Sequence, residues 1–282
     1  MKFIIFLLLN FPTFATIMVS HKGIWKDHIY PQNSMAAINQ AFANGFNGIE
    51  FDVQMTSRGR VVLAHDDKLN GVSNCKGRIS ELSWLEIKNC VITKNTLLPL
   101  TQILTKRVEQ PQKLSLLVDV LAQIGLKHNE VELIWIDFKP TSITKAQSLA
   151  SKLLEYPHGL DKIVVNSTSV EVLSIIKSVF PNMRTSLEGK WGSEPLKDYR
   201  KYFDGLGVTH DVISLNVGFY LGHEKYWPIG RRRRFWKKYK KFQEEAYIRD
   251  AMYIGWTVNK KKKISKLRDS GIPYLLTDRI NP

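Results

Sequence analysis

The sequence has few cysteines and no long hydrophobic run, and each shortage excludes a class of protein. Two cysteines among 282 residues are too few for a small disulfide scaffold, and neither belongs to a Cys-x-x-Cys zinc pair. The apolar run at 3–9 is too short for a membrane span. No internal repeat or low-complexity linker divides the chain, so we expect a globular protein.

The first residues have the composition of a secretory signal. Lys2 gives a positive start, an apolar run follows, and Thr13 and Ala15 place small residues at alternate positions. We therefore predict a signal peptide at 1–15 and a domain at 16–282 in an exported protein, periplasmic or secreted. An uncleaved, membrane-associated anchor is the alternative.

Both cysteines, Cys75 and Cys90, lie in the predicted mature part of the chain. In an oxidising compartment they could close a loop worth about 3 kcal/mol by chain entropy. Two unpaired thiols are the alternative.

Positive charge is abundant: 41 lysines and arginines against 26 acidic residues give a net charge of +15. Part of it is concentrated at 231–241, where cations alternate with aromatic residues, a pattern that suits an anionic membrane surface. For an exported chain we expect lipid or a surface polymer there, not nucleic acid, and an ordinary solvated face is the alternative. The residues of this predicted surface are Arg231, Arg232, Arg233, Arg234, Trp236, Lys237 and Lys238.

Two histidines and a carboxylate pair stand close together in the first quarter of the chain. Glu50 and Asp52 are two residues apart, so on a strand they share one face, with His21 before them and His65 after them. A carboxylate pair persists if a cation neutralises it, if it shares a proton or if solvent screens it. Together with histidines, it indicates metal-assisted acid/base chemistry, although a half-exposed strand beside a core histidine gives a similar pattern.

The surrounding pattern predicts a βαβ unit. Asn33 or Ser34 can cap an amphipathic helix that ends at Asn44-Gly45, and a strand follows through Met55. This order places His21 and the carboxylates at the carboxyl ends of parallel strands. A turn at 57–59 then predicts a hairpin that returns His65 to them.

Further strands are predicted at 131–138, 162–166, 184–187, 212–215, 252–258 and 273–277, with helices between most of them. Added to the strands of His21 and Glu50, they make eight. The fold class is therefore α/β, a (β/α)8 TIM barrel with the hairpin as an excursion.

The motifs, in their order, resemble those of the glycerophosphodiester phosphodiesterase family of the PLC-like phosphodiesterase superfamily. The resemblance runs from about residue 17 to the C-terminus. Its motifs are His21-Lys22-Gly23, Pro31-Gln32-Asn33-Ser34, Gly48-Ile49-Glu50-Phe51-Asp52-Val53, His65-Asp66, Asp137-Phe138-Lys139, Trp256-Thr257-Val258-Asn259 and Thr277-Asp278.

The resemblance implies a TIM barrel with an insertion after the second barrel strand, here at about 53–112. It also implies hydrolysis of glycerophosphodiesters to glycerol 3-phosphate and an alcohol, with one divalent cation, Ca²⁺ or Mg²⁺. Carried over by position, the roles are general acid and base for His21 and His65, cation ligands for Glu50, Asp52 and Asp137, and substrate or phosphate contacts for Lys22, Lys139 and Trp256.

The sequence departs from the family pattern at several positions. Lys22 stands in place of arginine, Gln32 in place of glutamate, and Asp137, one methylene shorter, in place of a glutamate ligand. The stretch 165–168 lacks the usual phenylalanine. These changes favour an active enzyme with altered substrate preference over an inactive relative.

Two alternative functions stay open from the sequence. One is a phospholipase D or sphingomyelinase D-like enzyme that acts on lysophospholipids or phospholipids. The other, of a different class, is a secreted, non-catalytic binder of anionic lipid or polymer through the basic segment.

Overall fold

A computed structural model describes residues 15–97, 104–156, 159–188, 212–215, 228–249 and 251–279. Nearly all of the predicted signal peptide, residues 1–14, lies outside this part of the chain.

The described strands alternate with helices along most of the chain, as the pattern predicts. In chain order the strands are β1 (Ile17–His21), β2 (Gly48–Met55), β3 (Val61–Leu63), β4 (Val91–Thr96), β5 (Thr105–Lys113), β6 (Leu133–Phe138), β7 (Ile163–Ser167), β8 (Arg184–Leu187), β9 (Val212–Leu215), β10 (Met252–Gly255) and β11 (Tyr274–Thr277). The helices are α1 (Met35–Ala43), α2 (Trp84–Ile87), α3 (Leu117–Lys127), α4 (Ile143–Leu154), α5 (Val170–Val179), α6 (Ile229–Ile248) and α7 (Lys261–Asp269).

Eight of these strands form a closed parallel barrel. The hydrogen-bonded order is β1, β2, β6, β7, β8, β9, β10 and β11, and β11 pairs again with β1. The prediction of a (β/α)8 barrel is therefore confirmed. Strand β10 is shorter than predicted, since it ends at Gly255 instead of 258.

Helix α1 shows how local sequence fixes an element. The Ser34 hydroxyl accepts a hydrogen bond from Ala37 N and caps the helix, so Ser34 and not Asn33 is the N-cap residue. The buried stripe of Ala37, Ile38, Ala41 and Phe42 faces the barrel. Gly45 ends the helix with a φ of +80°, a conformation that glycine adopts without strain.

Alternation along the barrel strands separates core from site. On β2, Phe51 and Val53 pack in the large cluster beneath the helices, whereas Glu50 and Asp52 are buried on the barrel side. On β6, Trp135 packs in the smaller cluster inside the barrel. The side-chain period of two thus places Phe51 and Val53 on the outward face of β2 and the two carboxylates on its inward face.

The segment after β2 forms the insertion expected from the resemblance. Strand β3 pairs antiparallel with β2, β4 and β5 make a separate hairpin, and α2 lies between β3 and β4. A disulfide joins Cys75 and Cys90, whose Cα atoms are 5.6 Å apart. Cys90 also packs with the small apolar cluster of this segment. The insertion therefore has its own small core, to which the disulfide is attached.

Within the described ranges, no helix combines the length and apolar character that a bilayer-spanning segment needs.

Candidate active site

Strand register brings the predicted site residues to one end of the barrel. His21 is the register partner of Glu50 across β1 and β2, and Asp52 is the partner of Asp137 across β2 and β6. Asp137 in turn pairs with Asn166 of β7. These positions lie at or near the carboxyl ends of the strands, where barrel enzymes place their chemistry.

A pocket of about 220 Å³ opens among these side chains. It contains every residue that the sequence proposes for catalysis, cation binding and substrate contact. Its polar and aromatic lining includes His21, Lys22, Glu50, Asp52, His65, Trp135, Asp137, Lys139, Asn166, Glu188 and Trp256.

Three carboxylates form the acidic centre of this pocket. One oxygen from each of Glu50, Asp52 and Asp137 lies within 4.8 Å of the others. Carboxylate oxygens from adjacent strands are the donors that Ca²⁺ and Mg²⁺ prefer. The donor set therefore fits a divalent cation, and the shorter side chain of Asp137 does not remove that residue from the cluster.

Two lysines neutralise the acidic centre in this structure. Lys139 Nζ lies 2.8 Å from Asp52 Oδ1 and 2.5 Å from Asp137 Oδ2, and Lys22 Nζ lies 3.3 Å from Asp52 Oδ2. Burial alone would raise the pKa of Asp52, but the two ammonium groups hold it well below its usual value. Asp52 is therefore a permanent anion at neutral pH.

Glu50 has the opposite electrostatic environment. Burial raises its pKa well above the usual value, and the negative charge of Asp52 acts in the same direction. The backbone N–H of Lys22 donates a 2.8 Å hydrogen bond to Glu50 Oε2 and fixes the side chain. A cation beside the two carboxylates would favour ionised Glu50, because opposite charge stabilises the anion.

A carboxylate that sequence reasoning left without a role orients His21. Asp278 Oδ1 lies 2.6 Å from His21 Nδ1, while Nε2 of the ring is 4.0 Å from Glu50 Oε2. Asp278 is itself held by Lys26 Nζ at 2.8 Å and by the side-chain amide of Asn259 at 2.8 Å. The Thr277-Asp278 and Asn259 motifs were the available signal, but only the fold brings them to His21.

The pKa values of Asp278 and His21 are both shifted by their surroundings. Burial alone would raise the pKa of Asp278, but His21 and the Lys26 ammonium hold it well below its usual value. Burial lowers the pKa of His21, although the Asp278 carboxylate acts in the opposite direction. A neutral His21 ring held by an ionised carboxylate is the consequence.

His65 reaches the pocket through the predicted hairpin. Gly59, with a φ of +75°, lies in the turn between β2 and β3, and Ala64 N donates to Asp52 O at 3.0 Å. The His65 ring places Nδ1 2.9 Å from Asp66 Oδ1. Both predicted histidines therefore reach one pocket from different elements, each with a carboxylate neighbour.

Asn33 and Lys22 adopt backbone conformations that are unusual for side-chain-bearing residues. Their φ angles are +60° and +62°. In this conformation Asn33 donates from Nδ2 to Asp52 Oδ2 at 2.9 Å and accepts from Asp52 N at 3.0 Å. Strain of this kind is retained where surrounding contacts determine it, and here those contacts position Asp52.

Glu188 and Asn166 are pocket residues that the sequence did not identify. Asn166 Nδ2 donates to Glu188 Oε2 at 3.0 Å. Burial and the nearby charge of Asp137 raise the pKa of Glu188 to about 7. The sequence pattern assigned neither residue a role, since Asn166 lies inside β7 and Glu188 directly follows β8 without a distinguishing motif.

Trp256 both lines the pocket and packs against the cluster inside the barrel, so it belongs to the pocket and to the core at once.

The predicted basic surface lies on helix α6. Its cations at 231, 233, 234, 237 and 238 are exposed, but its aromatic side chains turn inward. Phe235, Tyr239 and Phe242 are buried against the barrel, and Trp236 is half-buried beneath the Lys266 ammonium, 3.8 Å from the ring centroid. The exposed face is therefore cationic, with the aromatic residues serving mainly to attach the helix.

Known proteins resemble this chain in both sequence and fold. A glycerophosphodiester phosphodiesterase from Caldanaerobacter subterraneus is 36% identical over 267 residues, which cover 93% of this chain and 94% of that protein. Human glycerophosphodiester phosphodiesterase 1 is 26% identical over 249 residues, 86% of this chain and 71% of that protein.

Solved structures share the barrel at lower identity. A putative glycerophosphodiester phosphodiesterase from Galdieria sulphuraria superposes with a TM-score of 0.68 at 14% identity, covering 95% of this chain and 96% of that one. A phosphodiesterase from Oleispira antarctica, in complex with the product sn-glycerol-3-phosphate, has a TM-score of 0.65 at 15% identity, covering 93% and 92%.

The sequence profile of the glycerophosphoryl diester phosphodiesterase family matches residues 21–206, the part of the chain that supplies both histidines and all three clustered carboxylates. This match covers well over half of the chain. The chain therefore belongs to the glycerophosphoryl diester phosphodiesterase family.

Proposed function

We propose that the protein hydrolyses glycerophosphodiesters to glycerol 3-phosphate and an alcohol, with His21 and His65 as general base and general acid. The observation that carries this proposal is the convergence of both rings on one pocket with Glu50, Asp52 and Asp137. Proton transfer needs two titratable groups, and a phosphodiester anion needs positive charge around it.

The acidic centre would hold one divalent cation, Ca²⁺ or Mg²⁺, through Glu50, Asp52 and Asp137. When bound, the cation would supply Lewis-acid charge that offsets the phosphate anion. Lys139 and Lys22 both contact the Asp52 carboxylate, so their ammonium groups lie where they can also meet phosphate oxygens.

His21 is suited to accept a proton. Asp278 accepts the Nδ1 proton and fixes the tautomer, which leaves the Nε2 lone pair directed into the pocket. His21 would deprotonate the attacking hydroxyl, from water or from the glycerol moiety, and His65 would protonate the leaving alcohol oxygen. The half-exposed Trp256 would pack against the glycerol or the headgroup.

A phospholipase D or sphingomyelinase D-like action on lysophospholipids is the second candidate. The cationic face of α6 favours it, because anionic lipid is a partner that such a face would meet. A non-catalytic lipid binder is disfavoured, since the chain keeps both histidines and the complete carboxylate cluster.

Export to a periplasmic or secreted location is also part of the proposal. The disulfide of the insertion supports it, because such bonds persist in oxidising compartments. The mass of the protein recovered outside the cytoplasm of a bacterial host would report cleavage after residue 15, and a full-length cytoplasmic product would contradict it.

The central experiment uses His21→Ala with glycerophosphocholine, glycerophosphoethanolamine and lysophosphatidylcholine, in Ca²⁺ or Mg²⁺ and with EDTA as control. We expect a loss of at least about 100-fold in kcat for the variant and loss of activity in EDTA. His128→Ala is the matched control, since its ring stacks on Phe42 and lies outside the pocket. Equal activity of His21→Ala and wild type, or activity that survives complete metal removal, would contradict the proposal.

A further inference from the structure

The cations of α6 are distributed unevenly along the helix. They occupy the stretch from 231 to 241, whereas Glu244 and Glu245 lie nearer the C-terminal end. Ile229, at the start of the helix, is an exposed apolar side chain with 70% of its surface accessible. The helix therefore presents one strongly positive end with an apolar tip.

This positive end lies on the side of the barrel where the pocket opens. Gln243 Nε2 donates to the hydroxyl of Tyr253, near the start of β10, so residue 243 is level with the beginning of that strand. The helix start at Ile229 is fourteen residues away, about 20 Å along the axis. Strand β10 has four residues and spans only about 13 Å, so the helix start extends past the carboxyl end of the strand.

Helix α7 adds a second cationic stretch beside the first. Lys260, Lys261 and Lys262 are exposed and follow directly after Asn259, which bonds the Asp278 carboxylate that orients His21. The contact between Lys266 and Trp236 joins the two helices. Residues 266 and 236 lie five and seven positions after their helix starts, so both starts are level to within about 5 Å.

We call residues 229–241 and 260–266 together the basic rim. Neither helix has an acidic residue in its first turn. Cations at a helix N-terminus are opposed by the helix dipole, which favours negative charge there. The helix dipoles therefore do not favour these cations at this end, whereas a bound anionic surface would attract both the exposed cations and the positive ends of the dipoles.

We propose that the basic rim docks on an anionic lipid bilayer with the pocket facing the membrane, so that the pocket also accepts a lysophospholipid held in that membrane. The cleavage of a phosphodiester in this proposal rests on the proposed function. The basic rim adds that the substrate lies in the membrane. Hydrolysis would form a bond between water oxygen and phosphorus and break the bond to the headgroup oxygen, which takes a proton. The products are lysophosphatidic acid and the headgroup alcohol.

The first experiment measures binding without turnover. Vesicles of phosphatidylcholine with 30% phosphatidylglycerol are sedimented with wild type, with R231Q/R232Q/R233Q/R234Q and with K260Q/K261Q/K262Q, in EDTA. We expect wild type to bind and binding to fall as salt rises, and we expect each variant to lose about 100-fold in partition. Pure phosphatidylcholine vesicles should bind none of these proteins.

A matched control removes three positive charges, as many as K260Q/K261Q/K262Q, from the opposite end of the barrel. Lys127, Lys152 and Lys177 lie in the last turns of α3, α4 and α5, so K127Q/K152Q/K177Q changes three charges away from the pocket. We expect this variant to bind vesicles within twofold of wild type. Equal losses in the two triple variants would show a response to net charge alone and would overturn the docking surface.

The second experiment compares a soluble and a membrane-borne substrate. Rim variants should keep kcat/KM for glycerophosphocholine within about twofold and lose at least tenfold on lysophosphatidylcholine in anionic vesicles. Loss of vesicle binding with unchanged turnover of the vesicle substrate would overturn the membrane-borne substrate. Absence of wild-type vesicle binding together with retention on a DNA or polyphosphate column would overturn lipid as the partner.

The two proposals fail separately. A wild type that binds anionic vesicles through the rim but cleaves no phosphodiester would contradict the proposed function and leave docking intact. A wild type that cleaves glycerophosphocholine but does not bind anionic vesicles would contradict docking and leave the proposed function intact.

Discussion

At the residue scale, pairs of side chains with opposed environments set the chemistry of the pocket. Asp52 is held ionised by two ammonium groups, whereas burial drives Glu50 toward protonation. Asp278 holds His21 from outside the carboxylate cluster. Substitutions at such residues should therefore change pH dependence as well as rate.

Asp278→Asn should lower kcat for glycerophosphocholine by about 100-fold, because His21 loses the acceptor that fixes its tautomer. The carboxylate raises the pKa of His21 against the effect of burial, so its removal should move the acid limb of the kcat/KM profile to lower pH. Asp67→Asn is the control, since Asp67 bonds Arg78 and Ser80 instead of a histidine. An acid limb at unchanged pH would contradict this role of Asp278.

Glu188→Gln should stabilise the metal-free protein at high pH. The folded pKa of about 7 lies above the usual value near 4.3, so the folded state binds the proton more tightly. The free energy of unfolding of wild type should therefore fall as pH rises from about 4 to 7. Above pH 7 it should fall no further through this group. Urea unfolding in EDTA should show the variant more stable by about 1–3 kcal/mol at pH 8 and equal at pH 4.

Exposed Glu109 supplies the control for that measurement, because Glu109→Gln should leave the pH dependence unchanged. A Glu188→Gln variant with the same pH dependence of stability as wild type would show that Glu188 ionises freely.

At the element scale, the insertion after β2 behaves as a small unit with its own core and its own crosslink. The disulfide closes a loop with a sequence separation of 15, and neither cysteine lines the described pocket. The crosslink should therefore matter for stability more than for catalysis.

Removing the crosslink as Cys75→Ser/Cys90→Ser should lower the free energy of unfolding by about 3 kcal/mol, through greater entropy of the unfolded chain. Activity on a soluble substrate should stay within about threefold at 20 °C. Reductant should destabilise wild type and leave the double variant unchanged in urea unfolding. Equal reductant sensitivity of the two proteins would contradict a stabilising disulfide between Cys75 and Cys90.

At the scale of the whole molecule, the chain carries a net charge of +15, and the basic rim holds part of it. Like charges repel in the compact state, and salt screens that repulsion. Raising ionic strength from 10 mM to 0.1 M shortens the Debye length from about 30 Å to about 10 Å.

Over this range the thermal midpoint of wild type should rise by a few degrees, as measured by circular dichroism. K260Q/K261Q/K262Q should show a smaller rise, because the repulsion has already been reduced. A midpoint that falls with salt in wild type would mean that attractive ion pairs outweigh the repulsion.

Much of the fold was readable from the sequence because each barrel strand carries its own signal. The apolar run that ends at Phe138 and the alternation around Phe51 are local patterns, and all eight barrel strands were predicted within a few residues. The strand predicted to end at 258 ended at Gly255, although Val258 N still donates a 2.9 Å hydrogen bond to Leu276 O of β11.

The acidic centre was predictable for a similar reason. Glu50 and Asp52 are two positions apart, and Asp137 and Lys139 flank a neighbouring strand end, so parallel register brings them together. Glu188 and Asn166 could not be found, because nothing in their local sequence distinguishes them from other polar residues in or directly after a strand.

The sequence by itself determined the barrel, the two histidines and the carboxylate cluster, because the side-chain period of each strand and the order of the motifs are both visible in the chain. Only the tertiary structure decided that Asp278 orients His21, that two lysines neutralise Asp52, and that α6 turns its aromatic residues inward. Those results depend on closure of the barrel, which brings residues 257 positions apart into contact. Closure also sets the level at which the two basic helices begin, and with it the direction in which the positive charge faces.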